Sequence, residues 1–179
     1  MHKRRFLPLC GLWLAVAALM PVIAAAQDDP RLDRLETEVR HELYMLPYYN
    51  VFDNLEFKVE SGGRVTLQGQ VVRPTLKSDA ENVVKRIAGV DEVVNNIEVL
   101  PVSPNDDRIR IAVYRAIFRT AGLERYALQA VPPIHIVVKS GNVTLEGAVG
   151  TEMDRNLANI KARGVSGVFS VKNNLRVAP

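Results

Sequence analysis

The sequence predicts an α+β fold made twice over: two tandem αββαβ units, each a three-stranded sheet covered on one face by two helices. Three observations predict it. Gly63, Val65, Thr66, Leu67, Gly69 and Val71 recur 78 residues on as Gly141, Val143, Thr144, Leu145, Gly147 and Val149. Gly89, Val90, Val93, Asn95, Asn96, Val99 and Pro101 recur in the same register as Gly167, Val168, Val171, Asn173, Asn174, Val177 and Pro179. A period this long suits a small self-folding domain and is too long for a solenoid unit. Within each copy, apolar residues alternate with polar ones over short runs, as in strands covered on one face. Between those runs lie proline-opened segments with apolar residues at three- and four-residue steps, as in amphipathic helices.

In the first copy, Asp29-Pro30 supplies an N-cap acceptor and a first-turn proline. Leu32, Leu35, Val39, Leu43 and Leu46 then form one helical face, which Pro47 stops. Tyr48 to Asn54 reads as irregular. Phe57 and Val59 alternate with Lys58 and Glu60 as a strand, Gly62-Gly63 turns, and Val65 to Val71 returns as its hairpin partner. Pro74 opens a second helix with Ala80, Val83, Val84 and Ile87 inward, ended by Gly89. Val93, Asn95, Ile97 and Val99 form the last strand. The second copy follows the same order. Ser103-Pro104 with Asp106 starts a helix in which Val113 and Ile117 match Leu35 and Val39. Ile134 to Val138 and the strand after Ser140-Gly141 form the hairpin, and Glu152 to Arg163 the second helix. Phe169, Val171, Leu175 and Val177 close the sheet. Lys161 stands where the first copy has Val83, and Ile160 beside it predicts a small rotation of that helix.

Residues 1–26 read as a secretory signal peptide. His2 to Arg5 is a basic n-region, Phe6 to Ile23 an apolar h-region, and Ala24-Ala25-Ala26 a cleavage site before Gln27. The expected domains are then residues 27–101 and 105–179, joined by a stiff linker at 102–104. Cys10 falls in the leader, so the processed chain has no disulfide or thiol chemistry. Its charge is near zero, which removes the basic pI as an argument for nucleic acid. That balance hides an asymmetry: residues 27–103 carry 9 basic and 14 acidic side chains, residues 104–179 carry 11 and 6. The asymmetry either draws the two domains together or directs the second one to an anionic surface.

The pattern of a short strand, Gly-x-Val, a helix with a central Ala, then Gly-Val-x-x-Val-x-Asn resembles the BON domain of bacterial envelope proteins. It is carried by Val65, Leu67, Gly69, Val71, Ala80, Gly89, Val90, Val93 and Asn95, and again by Val143, Leu145, Gly147, Val149, Ala158, Gly167, Val168, Val171 and Asn173. The resemblance implies periplasmic residence, attachment to phospholipid, a link to osmotic or envelope stress, and no shared catalytic residues. It also implies contact with anionic phospholipid through the second domain, as in some double-domain members.

Two surfaces stand out from the residues. On the first helix of the second copy, Ile111, Tyr114 and Phe118 form a second apolar face, flanked by Arg108, Arg115 and Arg119. Rings and guanidiniums in that arrangement suit an anionic phospholipid interface; packing of the rings against the first domain is the alternative. The segment holding Tyr48, Tyr49 and Phe52 is unusually aromatic for a loop. It either covers a small core or contacts an envelope protein partner. Asn95 and Asn173 fall on apolar strand faces, where a buried amide must tie down a neighbouring segment. His41 and His135 have no ligand partner at metal spacing, and no nucleophile, P-loop or dinucleotide motif occurs. The expectation is a protein that is not an enzyme and uses no metal or cofactor.

Overall fold

The computed structural model describes residues 29–178 except Ala130, so the expected leader lies outside the described residues. Helix α1 (Pro30–Tyr44) starts where Asp29 accepts a hydrogen bond from the Arg31 amide at 3.0 Å. It buries Leu35, Val39 and Leu43. Strands β1 (Asn54–Glu60) and β2 (Arg64–Val71) form an antiparallel hairpin with Phe57 opposite Leu67. Helix α2 (Pro74–Val84) leads to β3 (Glu92–Asn95) and β4 (Glu98–Val99), both parallel to β2. The central strand is therefore β2, with β1 on one side and β3 and β4 in line on the other.

The second copy repeats this plan. Helix α3 (Pro104–Phe118) starts on the Ser103 hydroxyl, which accepts from the Asp106 amide at 3.2 Å. A 3-10 helix (Glu124–Leu128) follows, then the hairpin β5 (Ile134–Lys139) and β6 (Asn142–Val149). Helix α4 (Glu152–Arg163) leads to β7 (Ser170–Asn173) and β8 (Arg176–Val177), which lie parallel to the central β6. Each copy has its own apolar core beneath two helices.

Four local expectations change. The closing strand of each copy is interrupted, because the asparagine before the break diverts the ladder. Asn95 Oδ1 accepts the Ile97 amide at 3.1 Å while its Nδ2 donates to the Lys77 carbonyl on α2 at 3.0 Å. Asn173 does the same with Leu175 at 3.2 Å and with the Arg155 carbonyl on α4 at 2.9 Å. The gapless repeat begins only at Gly63. Ile109, Val113 and Ile117 take the buried places of Leu35, Val39 and Leu43, so Val113 corresponds to Val39 and the first-helix match shifts by one turn. The helix α4 is not rotated: Ala158 and Ala162 are buried where Ala80 and Val84 are, leaving Ile160 outside. Phe169 does not enter the closing strand and is 87% exposed.

Candidate functional site

The loop between α1 and β1 decides what the candidate surfaces can do. Tyr48 adopts a left-handed backbone conformation, φ 70°, which throws consecutive tyrosines in opposite directions. Tyr48 points outward, 67% exposed, with the Arg73 guanidinium 4.7 Å over its ring. Tyr49 turns inward and stacks on His135 of the second copy, with centroids 5.5 Å apart. Next along the chain, the Val51 carbonyl accepts the Ile136 amide at 2.7 Å, and the Val51 side chain joins the core of the second copy. Asn50 and Asp53 brace the turn. The Asp53 carboxylate, fully buried, accepts the Val72 amide at 2.8 Å and the Asn50 amide at 3.3 Å. Burial pushes the Asp53 carboxyl above its ordinary range against those bonds.

This seam claims part of the aromatic face expected on α3. Phe52 meets Tyr114 edge-on at 6.2 Å, and Tyr114 in turn packs on Phe118 at 4.8 Å. Phe118 is 6% exposed and belongs to the second core; Tyr114 is half-buried beside it. Phe118 is thereby withdrawn from the surface, and Tyr114 is half withdrawn. Of the apolar residues expected there, Ile111 remains exposed. Arg108, Arg115 and Arg119 all point to solvent. Among the described residues none of the three forms an ion pair, and Arg108 donates to Asn105 Oδ1 at 2.7 Å. The acidic residues of the helix have other partners. Asp106 is buried, accepting the Ser140 and Gly141 amides at 2.8 and 2.9 Å, and Asp107 pairs with Arg110.

Of the alternative contact residues, Tyr49 and Phe52 are spent in the seam, and Tyr48 alone is open. The seam also makes β5 an exception to one-sided coverage: Ile134 to Val138 are all buried, because the first copy covers its outer face. His135 is buried there, with its Nδ1 unpartnered and its Nε2 3.5 Å from the Tyr49 hydroxyl. Burial lowers the His135 pKa. Beside it a groove of about 630 Å³ opens between the copies, with Arg40, Lys58, Glu56, Glu146 and Arg176 on its walls. The sequence pattern does not single out this groove, since its walls are ordinary polar strand faces that meet only when the copies dock. One ion pair crosses between the copies in the described residues, Lys139 to Glu98 at 2.5 Å.

Three further exposed apolar residues of the second copy escaped the periodicity argument: Met153, Ile160 and Phe169. Their places in the first copy are held by Thr75, Asn82 and Asp91. That difference between copies was the signal available for finding them. Among the described residues no cluster of three potential metal ligands occurs, and no helix is long and apolar enough to cross a membrane.

Comparison with known proteins gives one family. The model described as "BON domain" matches residues 32–101 and 105–179. No curated protein matches the chain. Among solved structures, the C-terminal domain of CdsD, the structural protein of the type III secretion system of Chlamydia trachomatis, is 13% identical with a TM-score of 0.33, covering 81% of this chain and 98% of that one. A second CdsD structure is 13% identical with a TM-score of 0.32, covering 82% of this chain and 93% of that one.

Proposed function

The chain belongs to the BON domain family as two tandem copies, and from that membership we propose that it is a non-enzymatic periplasmic envelope protein that binds anionic phospholipid through its second copy. In this proposal residues 1–26 are removed on export, and residues 27–101 and 105–179 are the two working domains. A role in osmotic or envelope stress belongs to the same proposal and rests on the family.

The observation that carries it is the row Arg108, Arg115 and Arg119 on α3, exposed and not engaged by acids, with Ile111 among them. A guanidinium can pair with a headgroup phosphate through two parallel N–H donors, which an ammonium cannot. The first helix of the other copy carries Glu36, Glu38 and Glu42 and would be repelled by the same surface. Sedimentation with vesicles tests this. The processed protein is expected to pellet with phosphatidylglycerol vesicles and not with phosphatidylcholine. Arg115→Glu with Arg119→Glu is expected to weaken that binding at least about tenfold, given about 1 kcal/mol per basic residue near an anionic surface. Protein that stays in solution with both vesicles, or a variant that binds as the parent does, contradicts the proposal.

A second function is favoured by Tyr48, which stands open with the Arg73 guanidinium over its ring. An exposed ring of this kind suits an envelope protein partner. Crosslinking in the native envelope distinguishes it: defined protein partners lost on Tyr48→Ala support an adaptor role over lipid binding.

A further inference from the structure

The burial of Phe118 and half-burial of Tyr114 leave the arginine row of α3 with reduced apolar area of its own. Stable attachment to a bilayer interface draws on buried apolar area as well as on charge. That area lies on the neighbouring helix. In α4 the buried stripe is Asp154, Ala158 and Ala162. Met153 and Ile160, seven residues apart, fall about 20° from each other on the opposite, outer side at about 100° per residue. They are 77% and 63% exposed.

The two helices lie side by side, with α3 over β5 and α4 over β6 and β7. Around α3, the Tyr114–Phe118 flank faces Phe52 of the first copy. The half-buried Ala112 and Ala116 therefore fall on the flank toward α4, with Arg108, Arg115 and Arg119 on the outer surface next to it. On α4 the flank toward α3 is that of Leu157, which packs on the shared core, and Met153 and Ile160 border it. The arginine row and the apolar row thus adjoin across one helix–helix seam. Phe169 lies just before β7 at the β5–β6 turn, its amide donating to the Gly141 carbonyl at 2.8 Å, and Gly167 two residues earlier lies against Ile109 of α3, where a Cβ would meet it at 3.6 Å. Lys161 and Arg163 add two exposed cations without an ion pair among the described residues. The acids of α4 are engaged: Asp154 with Arg125 at 2.5 Å and Glu152 with Arg155 at 2.7 Å.

We infer that the outer surface of the helical layer of the second copy is a single contact face for an anionic bilayer, in which α3 pairs with phosphates and Met153, Ile160 and Phe169 of the α4 end enter the interface. This rests on the phospholipid reading above and extends it to a second helix. Five cations without an ion pair among the described residues surround three exposed apolar side chains, which complements an anionic bilayer. The first copy is the internal control: the same scaffold carries Thr75, Asn82 and Asp91 at these places.

The test uses the processed protein with phosphatidylglycerol and phosphatidylcholine vesicles. Ile160→Ser and Phe169→Ser alter exposed side chains and leave the core intact, which the unfolding midpoint checks. Together they are expected to weaken phosphatidylglycerol binding about tenfold or more. Trp13 lies in the leader, so Ile160→Trp gives the processed chain its only tryptophan, and its emission is expected to shift to the blue with phosphatidylglycerol vesicles alone. Binding of the serine variants at the parent's strength, or an unshifted tryptophan on bound protein, overturns this inference while the arginine reading stands. Failure of the parent itself to bind overturns both.

Discussion

Gly147 and His135 show how much a single side chain decides here. At Gly147 the backbone has φ 109°, and a Cβ would lie 2.1 Å from the Pro133 carbonyl oxygen. Gly69 repeats the geometry against Asn54 in the first copy. Gly147→Ala must therefore move backbone, and it is expected to cost at least about 2 kcal/mol, read from the urea midpoint. His135 acts through protons. Burial lowers its pKa from the ordinary 6.5, so the docked state holds it neutral. An undocked chain binds the proton first, and the seam loses stability as pH falls below about 6.5. Asp53 and Glu146, whose carboxyls burial raises, act in the opposite direction at lower pH, since the folded state then holds the extra proton. The expected result is a lower unfolding midpoint at pH 6 than at pH 8, with that difference removed by His135→Phe. The sequence identified His135 as unsuited to metal, but its burial follows from the docking of Tyr49, which no local pattern encodes.

At the scale of elements, the helices were the most legible part. Asp29 and Ser103 read as caps because a short acceptor before a proline has a local job, and both do it. Asn95 and Asn173 were legible as ties to a neighbouring segment, though they are half-buried rather than buried, and the strand breaks they cause were not legible. The amide replaces a ladder bond only once α2 or α4 presents a carbonyl above it. The 3-10 helix was not legible either, because its order comes from a contact distant in sequence. The Tyr126 hydroxyl donates to Asp154 at 2.9 Å and accepts the Gly150 amide at 2.8 Å, pinning the segment to the start of α4. Asp154 occupies the place of the buried Leu76 in the first copy, so a polar network replaces an apolar contact. Tyr126→Phe leaves the Asp154 side with one partner fewer and is expected to cost about 1–3 kcal/mol by chemical denaturation. On α3 the periodicity marked an apolar flank, and the alternative read from it, packing against the first domain, is what Tyr114 does on Phe52, while Phe118 packs on Tyr114 within the second core.

The whole molecule is two copies of one scaffold that have diverged in what they present. Their shared glycines, alternating valines and asparagines build the fold. Their opposite charges were legible from counting, and one ion pair across the described seam, Lys139 to Glu98, uses only a small part of that difference. Five of the remaining cations, Arg108, Arg115, Arg119, Lys161 and Arg163, are exposed on the helices of the second copy. In the proposed role this layer, and not its acidic counterpart, meets the bilayer. The most direct measurement is the loss of amide NMR signal in the processed protein when phosphatidylglycerol nanodiscs are added. The account predicts loss concentrated on Arg108 to Arg119, on Met153 to Arg163 and around Phe169, with Pro30 to Tyr44 and Pro74 to Val84 unaffected. Signal loss centred on the first copy, or spread equally over both, would contradict it.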